Sequence, residues 1–318
     1  MTDNLHDSAI LPKVVSQHCL RTRFNGSSCT RCRDACPRQL PVLDDVISIN
    51  ASVCSGCHLC AAACPSGAIE PQLTVEALTT ALNRSLPVIL SCHKTQDESH
   101  LQIPCFGFLS EEYLIALHTS VPSEINFNII HCSECCNHSI VSSLRERLCS
   151  LEAKTGLPIN TKIRLVDQTT DLHFQHEAIG RRSFFSSFAR SLLREAATIL
   201  APPSTKSEKP VSYAQKHIPL RLTMLNRGLE KITGEEQQLI NKLFRWELQR
   251  SDTCDGCYAC TKICPTGALK ENQYNKTVIF EFDTTSCTGC GLCVEFCLNK
   301  SLMLPHPCSG CRTAGIVE

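Results

Sequence analysis

Sixteen of the 24 cysteines in this 318-residue chain recur at one short spacing, and that spacing governs what the chain can fold around. Near the C-terminus stand Cys254, Cys257, Cys260 and Cys264, followed by Pro265, and then Cys287, Cys290, Cys293 and Cys297. Near the N-terminus stand Cys54, Cys57, Cys60 and Cys64, followed by Pro65. A stretched relative precedes them: Cys19, Cys29, Cys32 and Cys36, followed by Pro37. Thiolate is a soft ligand that suits iron–sulfur clusters, and a four-iron cube takes one thiolate per iron. Three cysteines two residues apart can wrap one side of such a cube, with backbone N–H groups directed at its sulfurs. Small residues permit that approach: Ser55-Gly56, Asp255-Gly256, and Thr288-Gly289 with Gly291. The fourth thiolate must come from elsewhere, because so short a loop cannot close over the far face. Proline after that cysteine lacks an N–H and favours an extended residue before it. Pro37, Pro65 and Pro265 fit this position; Leu298 does not.

Composition sets the expected surroundings. The chain is too long for a small disulfide-stapled secreted domain, so thiols at metal spacing suggest a reducing, cytoplasmic setting. The first residues carry acids, no arginine pair and no apolar run, so no secretory or twin-arginine leader is expected. No apolar run approaches the ~18 residues of a membrane span. With 31 basic and 31 acidic side chains, overall charge makes no case for nucleic acid.

The paired runs resemble bacterial-type two-cluster ferredoxins, over roughly residues 17–72 and 250–305. In that pattern the fourth cysteine of each run serves the other cluster. The resemblance therefore implies four [4Fe–4S] clusters. Cys254, Cys257 and Cys260 would hold one with Cys297, and Cys287, Cys290 and Cys293 another with Cys264. Cys54, Cys57 and Cys60 would hold a third with Cys36. The last would take Cys29, Cys32 and Cys64, with Cys19 either as its outlying ligand or as a free thiol beside an oxygen-sensitive, three-cysteine cluster. Around these loops, Val46–Ile49 and Thr277–Phe282 read as strands, and the tails Ser66–Ile69 and Thr266–Leu269 as turns leading into short strands. Ile263, Leu292 and Leu302 are expected to keep water off the clusters, which together with N–H···S bonds tunes potential.

The middle of the chain alternates strands with helices. Residues 87–96 read as a buried strand ending at Cys92, and residues 101–120 as a strand into Cys105, a turn at Gly107 and a helix capped by Ser110. Residues 125–148 repeat the plan around Cys132, Cys135 and Cys136, and residues 158–168 read as a further strand. A small parallel α/β sheet follows, with Cys92, Cys105 and Cys132 at its ligand-binding edge. The I-P-C-F-G-F-L and C-S-E-C-C-N-H segments resemble the delta-subunit family of methyl-viologen-reducing hydrogenases. That resemblance implies a [2Fe–2S] cluster at Cys92, Cys105, Cys132 and Cys135; the alternative is a thiol-rich domain without metal. The Cys135-Cys136 pair departs from the heterodisulfide reductase pattern, because Asn137 rather than glycine follows it.

Residues 170–250 hold no cysteine. Residues 181–200 have helical periodicity with a basic face, 201–210 read as a linker, and Leu220–Gln249 as a second helical stretch, expected to pack on its own domain. Cys308 and Cys311 beside His306 read as leftover thiols, and the cysteine-adjacent His58, His93, His131 and His138 as bystanders. The fold expected is α+β: two ferredoxin-like dicluster modules flanking a small α/β domain. Its segments are 1–75, 76–170 with the possible [2Fe–2S] site, a helical region and linker at 171–249, and 250–318. No nucleotide fingerprint or catalytic set appears, so the functional reading is an electron carrier without catalysis of its own. It would serve a larger cytoplasmic oxidoreductase such as a formate dehydrogenase or hydrogenase. Its rivals are a metalloenzyme maturation factor, a redox sensor, and a reductase using Cys135 and Cys136.

Overall fold

The computed structural model describes residues 10–44, 46–82, 86–174, 213–274 and 277–305. The basic helix, the linker, and Cys308 and Cys311 with His306 lie outside these residues. What is described is mixed α+β, built from one four-stranded sheet, several two-stranded ribbons and helices.

The sheet forms where the strand pattern was strongest. Its order is Leu101–Ile103, Val88–Cys92, Ile125–Asn128 and Ile163–Val166, and every neighbour is parallel. Leu90 lies opposite Leu101 on one side and Phe127 on the other. Val88, Ile89 and Leu90 are buried as a continuous run, as strands covered on both faces must be. The expected strand at 158–168 is shorter: Ile159–Lys162 makes a helical turn and the strand begins at Ile163. Pro158 explains the difference, since its fixed φ suits entry into a helical turn.

Helix Glu111–Ser120 is buried from Tyr113 through His118, so it is enclosed by neighbours rather than laid on a surface. Ser110 occupies its N-cap as expected, yet its buried hydroxyl finds no partner and makes no cap bond. The first-turn acids instead reach other elements. Glu111 accepts from Lys154 Nζ at 2.7 Å, and Glu112 meets Arg221 Nε at 3.3 Å. The stretch from Leu220 is two helices, Leu220–Leu229 and Glu235–Phe244, broken where Gly234 takes φ 75°. The first of them packs against Glu111–Ser120 with Gly228 at the crossing.

The ferredoxin-type segments form ribbons around short helices. Lys13–Val14 pairs with Ile69–Glu70, Val42–Leu43 with Ile47–Ser48, Leu269–Tyr274 with Thr277–Phe282, and Gln249–Arg250 with Leu302–Met303. Order in space differs from order along the chain. Leu43, Ile47 and Ile69 share one apolar core with Leu90, Phe108 and Phe127, so the N-terminal segment and the α/β sheet are packed as one body. The C-terminal segment has its own small core at Ala268, Leu269 and Leu302. It meets the N-terminal segment directly, where Leu20, Ile263 and Leu292 pack together. The two cysteine-rich segments therefore touch each other directly, although the α/β sequence lies between them in the chain.

Gly228 tests the helix crossing. A Cβ there would lie 2.4 Å from Thr119 Oγ1 and 3.1 Å from the Ala116 Cα. Gly228→Ala is expected to destabilise the chain by about 1–3 kcal/mol despite its better helix propensity, as overpacked sites do. Urea unfolding of the two proteins measures the difference.

Candidate metal centres

Each cysteine loop is shaped by backbone that few residues adopt. Gly56, Gly256 and Gly289 precede the second cysteine of their runs with φ of 66°, 72° and 64°. The residue after that cysteine is left-handed too: His58 at 61°, Tyr258 at 54° and Gly291 at 79°. For a side-chain-bearing residue this conformation costs about 1–2 kcal/mol. It turns the chain into the short helices Leu59–Ala63, Ala259–Ile263 and Leu292–Phe296, which carry the third cysteines. The stretched run lacks such glycines, and its loop enters the helix Arg31–Asp34 from Thr30 at φ −124°.

Burial and neighbouring charge raise several of the thiols in these runs. The Cys32 thiol is pushed up to about 12 by burial and then by the charges of Cys64, Cys19 and Cys29. Cys57 is raised by burial, Cys36 and Cys54. Burial also raises Cys60, with Cys57, Cys54 and Cys36 acting on it in turn. Cys260 is pushed up to about 11 by burial, Cys257, Cys254 and Cys297. Cys293 is raised by burial and then by Cys290, Cys264 and Cys287. In four of these cases a cysteine of the paired run is among the charges that raise the thiol: Cys64 for Cys32, Cys36 for Cys60, Cys297 for Cys260 and Cys264 for Cys293. Cys19, the residue with two readings, stands with Cys29, Cys32 and Cys64 and is buried.

Two of these groups line cavities. Cys254, Cys257, Cys260 and Cys297 border a space of about 380 Å³ walled by Phe24, Phe280, Phe296 and Leu302. Cys36, Cys54, Cys57 and Cys60 border one of about 80 Å³. A third cavity, of about 30 Å³, is bordered by Cys92, Cys105, Cys132 and Cys135 at the carboxyl ends of the strands. There Cys105 is pushed up to about 12 by burial, then by Cys92, Cys57 and Cys132. Cys136 points outward, 4.0 Å from Lys94 Nζ. Among the described residues no three His, Cys, Asp or Glu side chains converge closely enough for a single metal ion. Thiols that ring a space without meeting at a point suit a cluster better than a mononuclear zinc site, whose ligands all lie about 2.0–2.3 Å from the metal.

Donors to sulfur fit that chemistry as well. The Ser301 N–H donates to Cys297 Sγ at 3.4 Å, and the Asn137 N–H to Cys135 Sγ at 3.5 Å. Ser66 and Thr266 set their hydroxyls 3.8 and 3.6 Å from Cys64 and Cys264 Sγ, equivalent contacts in the two segments. A metal binds the thiolate, so metal binding by cysteines would release protons. The cysteine-adjacent histidines serve the backbone. His58 bonds the Ile10 carbonyl at 2.8 Å, His93 that of Pro104 at 2.7 Å, and His138 that of Cys135 at 3.2 Å. Leu298, where the other runs have proline, is 97 % exposed.

Three residues gave no signal in the cysteine pattern. Arg221 donates to the carbonyls of Cys64 and Pro65, the latter at 3.0 Å. Lys216 Nζ donates to the Cys264 carbonyl at 2.8 Å. These two cations, five residues apart, hold the corresponding fourth cysteines of both segments. Trp246 covers the Cys287 loop so closely that a Cβ on Gly289 would lie 1.9 Å from its ring.

Comparison with known proteins agrees with the cysteine chemistry. Residues 248–298 match the family described as "4Fe-4S dicluster domain", and residues 47–70 match "4Fe-4S binding domain". A 51-residue stretch is 39% identical to one subunit of an ion-translocating oxidoreductase complex from Methanosarcina acetivorans, covering 16% of this chain and 18% of that protein. The chain thus spans under a fifth of that curated relative's length. No solved structure matches the chain significantly. The chain thus carries two segments similar to 4Fe–4S ferredoxin-type domains. The maturation-factor and redox-sensor readings are not favoured.

Gly107 offers a direct test of how the sheet edge meets the N-terminal loop. A Cβ there would lie 2.0 Å from the Cys57 carbonyl oxygen, and backbone cannot yield as a side-chain tip can. Gly107→Ala should lower iron content through the Cys36 group while leaving the C-terminal matches to fold. Iron analysis with EPR of the anaerobically purified variant checks this outcome.

Proposed function

We propose that the chain holds four [4Fe–4S] clusters and one [2Fe–2S] cluster and conducts electrons between partners of a larger oxidoreductase. The cubes would be held by Cys19, Cys29, Cys32 and Cys64; by Cys36, Cys54, Cys57 and Cys60; by Cys264, Cys287, Cys290 and Cys293; and by Cys254, Cys257, Cys260 and Cys297. The smaller cluster would take Cys92, Cys105, Cys132 and Cys135. What supports this reading is the spacing of the paired runs together with the crossed charge effects, in which a raised thiol of one run feels the fourth cysteine of the other. When bound, such clusters supply one-electron carriers whose potentials respond to charge, hydrogen bonds and solvent.

The segments 1–75, 76–170, 171–249 and 250–318 then have separate tasks: cluster binding at the ends, a fifth centre in the sheet, and bracing from the helical region. A cytoplasmic setting fits the free thiols, and no helix among the described residues is long and apolar enough to cross a membrane. The relative's name, which places it in an oxidoreductase complex, supports partners of that general kind. Formate dehydrogenase and hydrogenase types remain the analogues for those partners.

Iron analysis tests the reading. Anaerobically purified protein should hold about 18 Fe, four per cube and two more in the sheet. Cys105→Ser in the full chain should bring this to about 16 and remove the [2Fe–2S] spectrum. A wild-type value near 8 would overturn the two-module assignment. Cys19→Ser should convert one cube to an oxygen-labile three-iron form; unchanged EPR and iron would remove Cys19 from the ligands.

A further inference from the structure

Arg23 is 2 % exposed and lies where the two cysteine-rich segments meet. Its guanidinium donates only to carbonyls: Ile263 at 3.5 Å, Gln215 at 3.3 Å and Tyr213 at 3.4 Å. The Tyr213 ring faces it at 5.5 Å, and the Tyr213 hydroxyl returns a bond to the Arg23 carbonyl at 2.9 Å. Among the described residues no carboxylate pairs with it. The other buried arginine among the described residues, Arg221, has Glu112 at 3.3 Å. The groups whose negative charge would favour the Arg23 cation are Cys264, Cys290 and Tyr213. A buried, unpaired cation costs several kcal/mol. Thiolates of a metal-loaded group at Cys264 and Cys290 would offset that cost.

The surroundings make this contact a junction. Leu20, Ile263 and Leu292 are fully packed there, with Cys29 on one side and Cys290 on the other. Phe24 meets Phe296 edge-on at 5.1 Å, and Ser28 donates to Glu295 at 2.7 Å. Segment 213–221 spans both sides, with Lys216 on the Cys264 carbonyl, the His217 N–H on Pro265 at 2.9 Å, and Arg221 on Cys64 and Pro65. Neighbouring groups continue the series in both directions. The charge of Cys32 acts on Cys60, that of Cys57 on Cys105, and that of Cys260 on Cys293.

We propose that Arg23 is a positioning residue that raises the potential of the centre at Cys264, Cys287, Cys290 and Cys293 and locks it beside the centre at Cys19, Cys29, Cys32 and Cys64, joining both segments into one route. This rests on the cluster assignment above. The route runs from the Cys92 group through the Cys36, Cys19 and Cys264 groups to the Cys254 group. Reduction adds negative charge, so a fixed cation at that position favours the reduced form.

The test uses full-length, iron-loaded protein in an EPR-monitored redox titration. Arg23→Gln should move one midpoint to more negative potential, and that signal should be the one Cys290→Ser removes. Arg23→Lys, which keeps the charge, should keep the wild-type midpoint; a fall equal to that of Arg23→Gln would overturn the role of charge. Unmoved midpoints in an Arg23→Gln protein of full iron content would overturn the inference alone. Low iron in the wild type would overturn the cluster assignment and this inference with it. A second measurement covers poor folding of the arginine variants. Cys32→Ser should slow the spin relaxation of the Cys264-group signal, and an unchanged relaxation rate would show that the two segments are not coupled.

Discussion

A short loop cannot enclose a cube of iron and sulfur, and most of this architecture follows from that limit. Three thiols on a tight loop reach one side, so a fourth must arrive from a distant run. Each pair of runs is thereby obliged to fold together, with the helices Arg31–Asp34 and Leu59–Ala63 in contact on one side of the molecule and Ala259–Ile263 and Leu292–Phe296 on the other. The left-handed backbone at Gly56, Gly256 and Gly289 turns each loop sharply into the short helix that carries its third cysteine. Strain at His58 and Tyr258 is tolerated because the neighbouring packing over-determines the loop.

Bracing comes from a region without a single cysteine. Residues 213–221 put a lysine on one fourth-cysteine carbonyl and an arginine on the other, where the ends of two short helices leave carbonyls unpaired. Cations at helix C-termini are favourable in themselves. Here they also tie together segments that lie far apart in sequence. The helix that follows packs on Glu111–Ser120, so the same stretch fastens the α/β sheet to the rest.

The sequence made the parallel sheet legible, because strand periodicity survives in one dimension. Cys92, Cys105 and Cys132 were placed at strand ends by periodicity alone, and they border one cavity. What escaped was relation between segments. Nothing in the spacing of Leu20, Ile263 and Leu292 announces that they touch, since each reads as an ordinary apolar position. Arg23, Lys216 and Arg221 escaped for a similar reason: a basic residue in a polar stretch looks solvated until its neighbours are known. The hydroxyl of Ser110 shows the converse, a cap residue recognised by type whose bond the packing does not provide.

The apolar core shared by Leu43, Ile47 and Ile69 with Leu90, Phe108 and Phe127 has a consequence for how the molecule comes apart. Where apolar burial is continuous, unfolding is cooperative, so the first ribbons and the parallel sheet rise and fall as one unit. The C-terminal segment touches that unit through a smaller patch and keeps a separate core. Chelation would therefore strip the chain in two stages, the sheet's fate following that of the N-terminal cysteines while the C-terminal pair keeps its own schedule.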